Sequence, residues 1–477
     1  MNYKSGSGIL PQDAVHTESG IGFFGDVHRY GSSRSGMRLH VLDSGLDDGT
    51  APPKKLGWKT VGLLQIADVV GSGILTMAAA FVQLGWVCAV LVLVVMCAIN
   101  VYMGIVLSQA KQIVPGGLSY KQMAHYAVGK KWFTLVVEWV FIIYVVANLS
   151  GYVLAMTESL QMIFFDSEVL CNPVAGIIVA GVMIFPTQIR SLHGITLFVY
   201  LNCISIVVSV FTALIYMIVN MQKQHEEHPS VTEVIPTPFE WTDFFNGVCK
   251  ITFAYLGAYI YLEMMSEMRR PQDFPKGFLL SAPFQFGMYL FVGVTGYLYS
   301  GQNAGDMIIQ EINVTTNPAL FRFAAVLLYI HLIVSFLIKS TVLTRAIHIK
   351  VSPMTVNDTG LKGRLVWFVL SISLIISTYL ISNAIPLFGK ITSILGGLFA
   401  PLLGYIFPPI FLLAARRRSS ASTSTLEYVV FAIIMVLACV LLSAGTVANF
   451  ISFFNAMKQT QTTPFECKHS SYLDRYT

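Results

Sequence analysis

Charge is what this sequence has least of. Of its 477 residues, 30 are Lys or Arg and 25 are Asp or Glu, together 12%; a soluble globular domain carries about 25%. Half the usual charge cannot cover a surface that faces water on every side, so a soluble enzyme is excluded. The deficit takes the form of uninterrupted runs. No charged residue stands in 69–110, 169–189, 191–222, 277–305, 365–389, 391–415 or 428–457. A bilayer core of about 30 Å needs about 20 apolar residues as helix, so each run is long enough to span once and 69–110 twice.

Other absences narrow the class further. No basic tract interleaves with aromatics, which excludes a nucleic-acid surface. Seven cysteines are too few for a disulfide scaffold, and five of them lie inside apolar runs as packing residues. Residues 1–57 are polar and Gly/Ser-rich with no apolar core, so they read as a disordered tail and not as a signal peptide. No phosphate-binding glycine loop is present, which argues against transport driven by nucleotide hydrolysis. The cluster His225-Glu226-Glu227-His228 lacks the spacing of a zinc protease. No metal or cofactor is expected.

What is there is a polytopic all-α membrane protein. Eleven spans are expected near 59–82, 85–109, 132–164, 173–189, 194–220, 242–266, 277–300, 318–342, 365–386, 388–414 and 427–455. An amphipathic interfacial segment is expected at 119–129. Fifteen basic residues fall in the loops after even-numbered spans, among them Lys121, Arg190, Arg269, Arg345 and Arg416. The loops on the opposite side hold one, Lys223, among eight acidic residues. Lys and Arg are retained in the cytoplasm, which puts the N-terminus there and the C-terminus outside. The sequon Asn313-Val-Thr315 then falls in an outer loop, where glycosylation is permitted. Cys171 and Cys467 also lie on that side, where a disulfide is permitted.

The spans are not uniformly apolar. Span 1 reads LLQIADVVGSGILTMAAAF, with Asp68, Gly71 and Gly73 near its middle. Span 6 reads FFNGVCKITFAYLGAYIYLEMMSEM, with Lys250, Tyr255, Gly257 and Glu263. Small residues of this kind also serve close helix packing. Buried charge shifts the balance toward a pathway, since an ionisable group at mid-membrane costs at least ~2.5 kcal/mol. Inverted-repeat transporters bind substrate where two helices unwind at the midplane, and spans 1 and 6 stand five apart, as equivalent helices of a five-plus-five repeat do.

These motifs resemble the amino acid/auxin permease family. VVGSGILTMAAAFVQLGW (69–86) is similar to its first helix and ITFAYLGAYIYLEMMSEMRRP (251–271) to its sixth. GVTGYLYSG (293–301), YIHLIVSF (329–336) and FGKITSILGGLFAPLLGYIFPPI (388–410) extend the resemblance over roughly 58–455. It implies a leucine-transporter-type fold and secondary transport of amino acids, with a proton gradient as the driving force. It also implies a substrate-carboxylate site at Gly71, Ser72 and Gly73, faced by Phe253, Tyr255 and Gly257.

Asp68 and Lys250 depart from the family pattern, and the expectation is that they pair with each other across the two site helices. The alternative is that Asp68 binds the substrate amine or the driving proton. Glu263 and His331 match family positions and complete the set of coupling candidates. Arg322 and Lys339 read as snorkelling residues near span ends.

The expectation is therefore a tail at 1–57, a transporter domain at 58–455 and a short outer tail at 456–477. Its function is proton-coupled amino acid symport by alternating access, at the plasma membrane in preference to the vacuole. The alternatives are a permease for auxin-like anions or GABA and, from another class, an ion channel. Its partners are an amino acid, protons and the bilayer.

Overall fold

The computed structural model describes residues 54–69, 71–167, 169–190, 192–227, 229, 231–385, 387–460 and 464–467. The N-terminal tail up to residue 53 lies outside this set, as do Glu168, His228 and most of the chain beyond 460. The described chain is helical throughout, with one isolated backbone bridge between Leu56 and Met268.

In chain order the helices are α1 (Trp58–Val69), α2 (Ser72–Leu75), α3 (Met77–Ile113), α4 (Tyr120–Met123), α5 (Lys131–Ile163), α6 (Asn172–Met183), α7 (Leu192–Glu227) and α8 (Trp241–Ala254). There follow α9 (Ala258–Glu267), α10 (Phe274–Ser300), α11 (Pro318–Val351), α12 (Leu361–Ala384), α13 (Phe388–Leu398), α14 (Phe407–Ser419), α15 (Thr425–Val440) and α16 (Thr446–Thr460). Eight helical stretches among the described residues are long and apolar enough to cross a membrane by length and composition. The 33 residues of α5 rise about 50 Å, which exceeds the hydrocarbon thickness.

Two segments are interrupted where glycine weakens the helix. Glycine costs roughly 1 kcal/mol against alanine in a helix interior, and Gly71 and Gly257 stand at the starts of α2 and α9. The expected first span is thus divided into α1 and α2 before it continues into α3. The helix is kinked at Gly85, whose φ of 67° is open to glycine at no steric cost. A Cβ there would also lie 2.7 Å from the Val234 carbonyl oxygen. The loop carrying Val234 is stitched to this corner by Trp86 and Val87, whose N–H groups donate to Glu233 and Val234 carbonyls.

The broken helices run through the middle of the bundle. α1 packs on α10 and α7, α8 on α3 and α13, and the long α11 on α5 and α7. The expected interfacial segment is α4 followed by a wide turn at Ala124–Val128. Tyr120, Met123 and Ala127 are buried there while Lys121 and His125 stay exposed. At the opposite face a Cys171–Cys467 disulfide fastens the distal chain to the start of α6. Beside it the Phe465 N–H donates to the Asn383 carbonyl.

Candidate functional site

The two breaks touch. A Cβ on Gly73 would come within 2.6 Å of the Ala254 Cα, so α2 lies directly against the end of α8 and admits no side chain between them. Across from Gly71 stands the Tyr152 hydroxyl of α5, which a Cβ on Gly71 would strike. That hydroxyl accepts the Ser72 N–H at 3.2 Å. An N–H group freed at the start of a helical turn is thus presented toward a phenol, with Gly71, Ser72 and Gly73 in one wall. On the sixth-span side the chain tightens through Leu256 N–H to Phe253 carbonyl and Gly257 N–H to Tyr255 carbonyl. The Ala254 carbonyl is taken by the Tyr289 hydroxyl at 2.8 Å. Phe253 is buried at the end of α8. The Tyr255 ring lies edge-on to Tyr289 of α10.

The charge partners differ from expectation. Asp68 does not pair with Lys250. Its Oδ1 lies 2.5 Å from the Lys339 ammonium, with the two side chains 1% and 3% exposed. The reason is depth. Asp68 precedes the break in the first span and Lys250 precedes the break in the sixth, and these segments run in opposite directions. The breaks therefore lie between them, and each finds a partner at its own level. Lys250 reaches Asp306 at 3.3 Å, in the loop between α10 and α11. Lys339 is correspondingly no snorkelling residue; it points into the bundle from α11. Arg322 does reach the surface, where it pairs with Asp166 and covers the Phe165 ring.

The Asp68–Lys339 pair is fully built into its surroundings. The Tyr259 hydroxyl of α9 donates to Asp68 Oδ1 at 2.9 Å. The Lys339 ammonium also lies 3.3 Å from the Asp68 main-chain carbonyl and 4.5 Å from the centre of the Tyr152 ring. The neighbouring Ala67 carbonyl accepts from Asn202 Nδ2 and the Ser335 hydroxyl, each at 3.2 Å. His331, completely buried, stands 3.4 Å from that Ser335 hydroxyl. The Ala67 and Asp68 carbonyls near the end of α1, which would otherwise be free to bind a cation, are therefore occupied by an ammonium, an amide and a hydroxyl of this chain. Removing one partner of such a buried pair costs about 3–5 kcal/mol, because the other charge is stranded.

Glu263 lies one helical turn beyond Tyr259 on α9 and borders a cavity of about 220 Å³ at the face carrying the basic loops. Glu138, on the same cavity, is held by Lys121 at 2.9 Å and Lys350 at 3.1 Å. Asn313 sits before α11, its Oδ1 accepting the Thr315 N–H and hydroxyl. Sequence reasoning missed Tyr152, Tyr259 and Lys339. Lys339 carried a signal, being the one charge inside an otherwise apolar stretch of the eighth span, but nothing local told it from a membrane-edge lysine.

The fold and the family have known counterparts. The family model described as "Transmembrane amino acid transporter protein" matches residues 54–452. The "N amino acid transport system protein" of Neurospora crassa is 23% identical over 390 residues, 79% of this chain and 80% of that protein. A "Transmembrane transporter" of Fusarium pseudograminearum is 20% identical over 435 residues, 88% of each. Among solved structures, MhsT in complex with L-phenylalanine superposes with a TM-score of 0.60 at 15% identity, covering 85% of this chain and all of that one. Mhp1, a nucleobase-cation-symport-1 family transporter in a closed conformation with bromovinylhydantoin bound, gives 0.54 at 13% identity over 91% of this chain and all of that one. These likenesses establish a leucine-transporter-type helical fold in a multi-pass membrane protein.

Proposed function

Because the chain belongs to the transmembrane amino acid transporter family, we propose that it moves amino acids across a membrane by proton-driven symport with alternating access. Eleven crossings in a five-plus-five repeat, with the first and sixth broken, complete this reading. The substrate carboxylate would lie against the N–H groups of the Gly71–Gly73 turn and exchange for the Ser72–Tyr152 contact. Both charged side chains nearest the breaks are paired within the protein, which supports a substrate whose own side chain is neutral.

The observation that carries the choice of proton over sodium is the Lys339 ammonium on Asp68 and its main-chain carbonyl. Unwound carbonyls at such breaks hold the coupling cation in related architectures, and here a tethered cation already sits on one. Protonating Asp68 would remove the charge that holds Lys339 and free α1 from α11. By the positive-inside rule the basic face is cytoplasmic, and the plasma membrane is the proposed location. Asn313 would then face outward and carry a glycan, and Cys171–Cys467 would sit in an oxidising space.

The test is uptake by proteoliposomes offered a panel of labelled amino acids under an inward pH gradient, a sodium gradient, or neither. The expected result is accumulation of neutral amino acids under the pH gradient alone. Accumulation that follows sodium and ignores pH would refute the coupling assignment, and no uptake of any amino acid would refute the substrate class.

A further inference from the structure

The cavity at the basic face is bordered by three carboxylates, and they are not equivalent. Glu138 of α5 is held between the ammonium groups of Lys121 and Lys350. Glu267, at the end of α9, has the guanidinium of Arg345 beside it, and the two interact electrostatically. Glu263 has neither arrangement. Both of its carboxylate oxygens are closed off from solvent and, among the described residues, accept no hydrogen bond.

The nearby donors bond to other groups, although the Lys111 ammonium is close enough to act on Glu263 electrostatically. Lys111, at the end of α3, gives its ammonium to the Pro115 carbonyl at 2.7 Å, the Gly117 carbonyl at 3.1 Å and the Ser266 hydroxyl at 3.4 Å. Tyr120 of α4 donates to the Ala258 and Leu403 carbonyls. Arg190 is engaged by the Thr355, Val356 and Asp358 carbonyls. A charged carboxylate with no cation and no donor on it is expensive to bury, whereas a carboxylic acid in the same place has no charge to desolvate.

The position matters as much as the isolation. Residues i and i+4 of a helix share a face about 6 Å apart, so Glu263 stands directly below Tyr259, whose hydroxyl is bonded to Asp68. The chain thus holds one carboxylate paired with an ammonium at the break and another, with no hydrogen bond from a described residue on either oxygen, one turn nearer the cavity. We infer that Glu263 is the release site of the coupling proton, taking it from Asp68 and delivering it to the cavity at the basic face. This rests on the proton-symport reading above. In the transfer the O–H bond on Asp68 breaks and one forms on Glu263; no described residue hydrogen-bonds Glu263 in this conformation, so water admitted from the cavity accepts the proton on one side and gives one up on the other. Asp68 is left as a carboxylate and closes again on Lys339. Water in the cavity then takes the proton from Glu263.

The experiment uses the full chain in liposomes and the labelled amino acid that wild type accumulates most. Two rates are measured for wild type, Glu263→Gln and Glu263→Asp. One is accumulation driven by a pH gradient, with proton entry followed by a trapped pH dye. The other is exchange of labelled for unlabelled substrate at equal pH, which needs binding and alternation but no net proton release. The expected result is that Glu263→Gln loses accumulation and substrate-evoked proton entry by about tenfold or more, the range of typical coupling energies. Its exchange should stay within about twofold of wild type, and Glu263→Asp should recover part of the accumulation. Equal loss of accumulation and exchange in Glu263→Gln would overturn the inference in favour of a structural role. Undiminished proton entry in that variant would overturn it too. Failure of the symport reading is visible separately, as a wild type that ignores the pH gradient.

Discussion

Replacing Lys339 with methionine isolates the central interaction. The substitution keeps the length and apolar stem of the side chain and deletes only the ammonium. Asp68, 1% exposed, would retain the Tyr259 hydroxyl as its one remaining side-chain donor among the described residues. Stranding a buried charge in this way costs about 3–5 kcal/mol, whereas replacing both members of a buried pair by uncharged groups is often neutral. Lys339→Met alone should therefore be destabilised by about 3–5 kcal/mol, and Asp68→Asn/Lys339→Met should return to within about 1 kcal/mol of wild type. The coupling between the sites, from the complete double-mutant cycle, should exceed the roughly 0.5–3 kcal/mol usual for neighbours, because each single variant strands a charge and the double variant strands none. Unfolding of the purified protein in mixed micelles at increasing fractions of denaturing detergent measures this. A double variant as unstable as the single one would refute the reasoning, because the loss would then come from packing and not from a stranded charge. The double variant should also take up substrate without regard to the pH gradient, since the carboxylate proposed to carry the proton at the break would be gone.

Tyr152→Phe removes the hydroxyl that meets the Ser72 N–H and that, once the substrate carboxylate takes that N–H, would donate to the carboxylate; hydrogen bonds to a charged group are worth about 1.5–3 kcal/mol, so substrate KM should rise by about tenfold or more with little change in Vmax, and an unchanged KM would remove Tyr152 from the carboxylate site. The outer pair is asymmetric, with Lys250 4% exposed and Asp306 51%. Asp306→Asn, which strands the buried ammonium, should therefore destabilise the protein more than Lys250→Met, which removes it; the reverse order in the same unfolding assay would contradict the assignment. Gly73→Ala places a Cβ 2.6 Å from the Ala254 Cα; overpacking of this kind costs about 1–3 kcal/mol. Initial uptake should fall severely while the protein still elutes as a single species, and normal uptake would show that the two breaks need not touch.

Much of the fold was legible because membrane helices announce themselves locally. A run of apolar residues long enough to span is a property of consecutive positions, and so is a glycine pair that weakens a helix. The positions of α5, α10, α11 and α12 follow the expected spans to within a few residues, except that α11 runs on to Val351. The breaks at Gly71 and Gly257 fall in the two expected spans. Within the site, the proximity of the Gly71–Gly73 turn to the end of α8 was anticipated from the motifs, yet the residues that fill the space between helices were not. Tyr152 is one of 21 tyrosines in the chain, with nothing in its neighbours to mark it.

By itself, then, the sequence determined that this protein lives in lipid, where its helices begin, which two of them break, and which face carries the basic loops. The tertiary structure alone decided how its few buried charges are shared. Asp68 and Lys339 are 271 positions apart, and their pairing depends on the depth at which each side chain leaves its helix and on which helix faces which. Two helical breaks lying between Asp68 and Lys250 were enough to redirect both. Local hydropathy is a sum over neighbours along the chain and carries the class of the protein. Charge pairing in a medium that cannot solvate an ion is settled across the bundle, and only the packed helices hold that information.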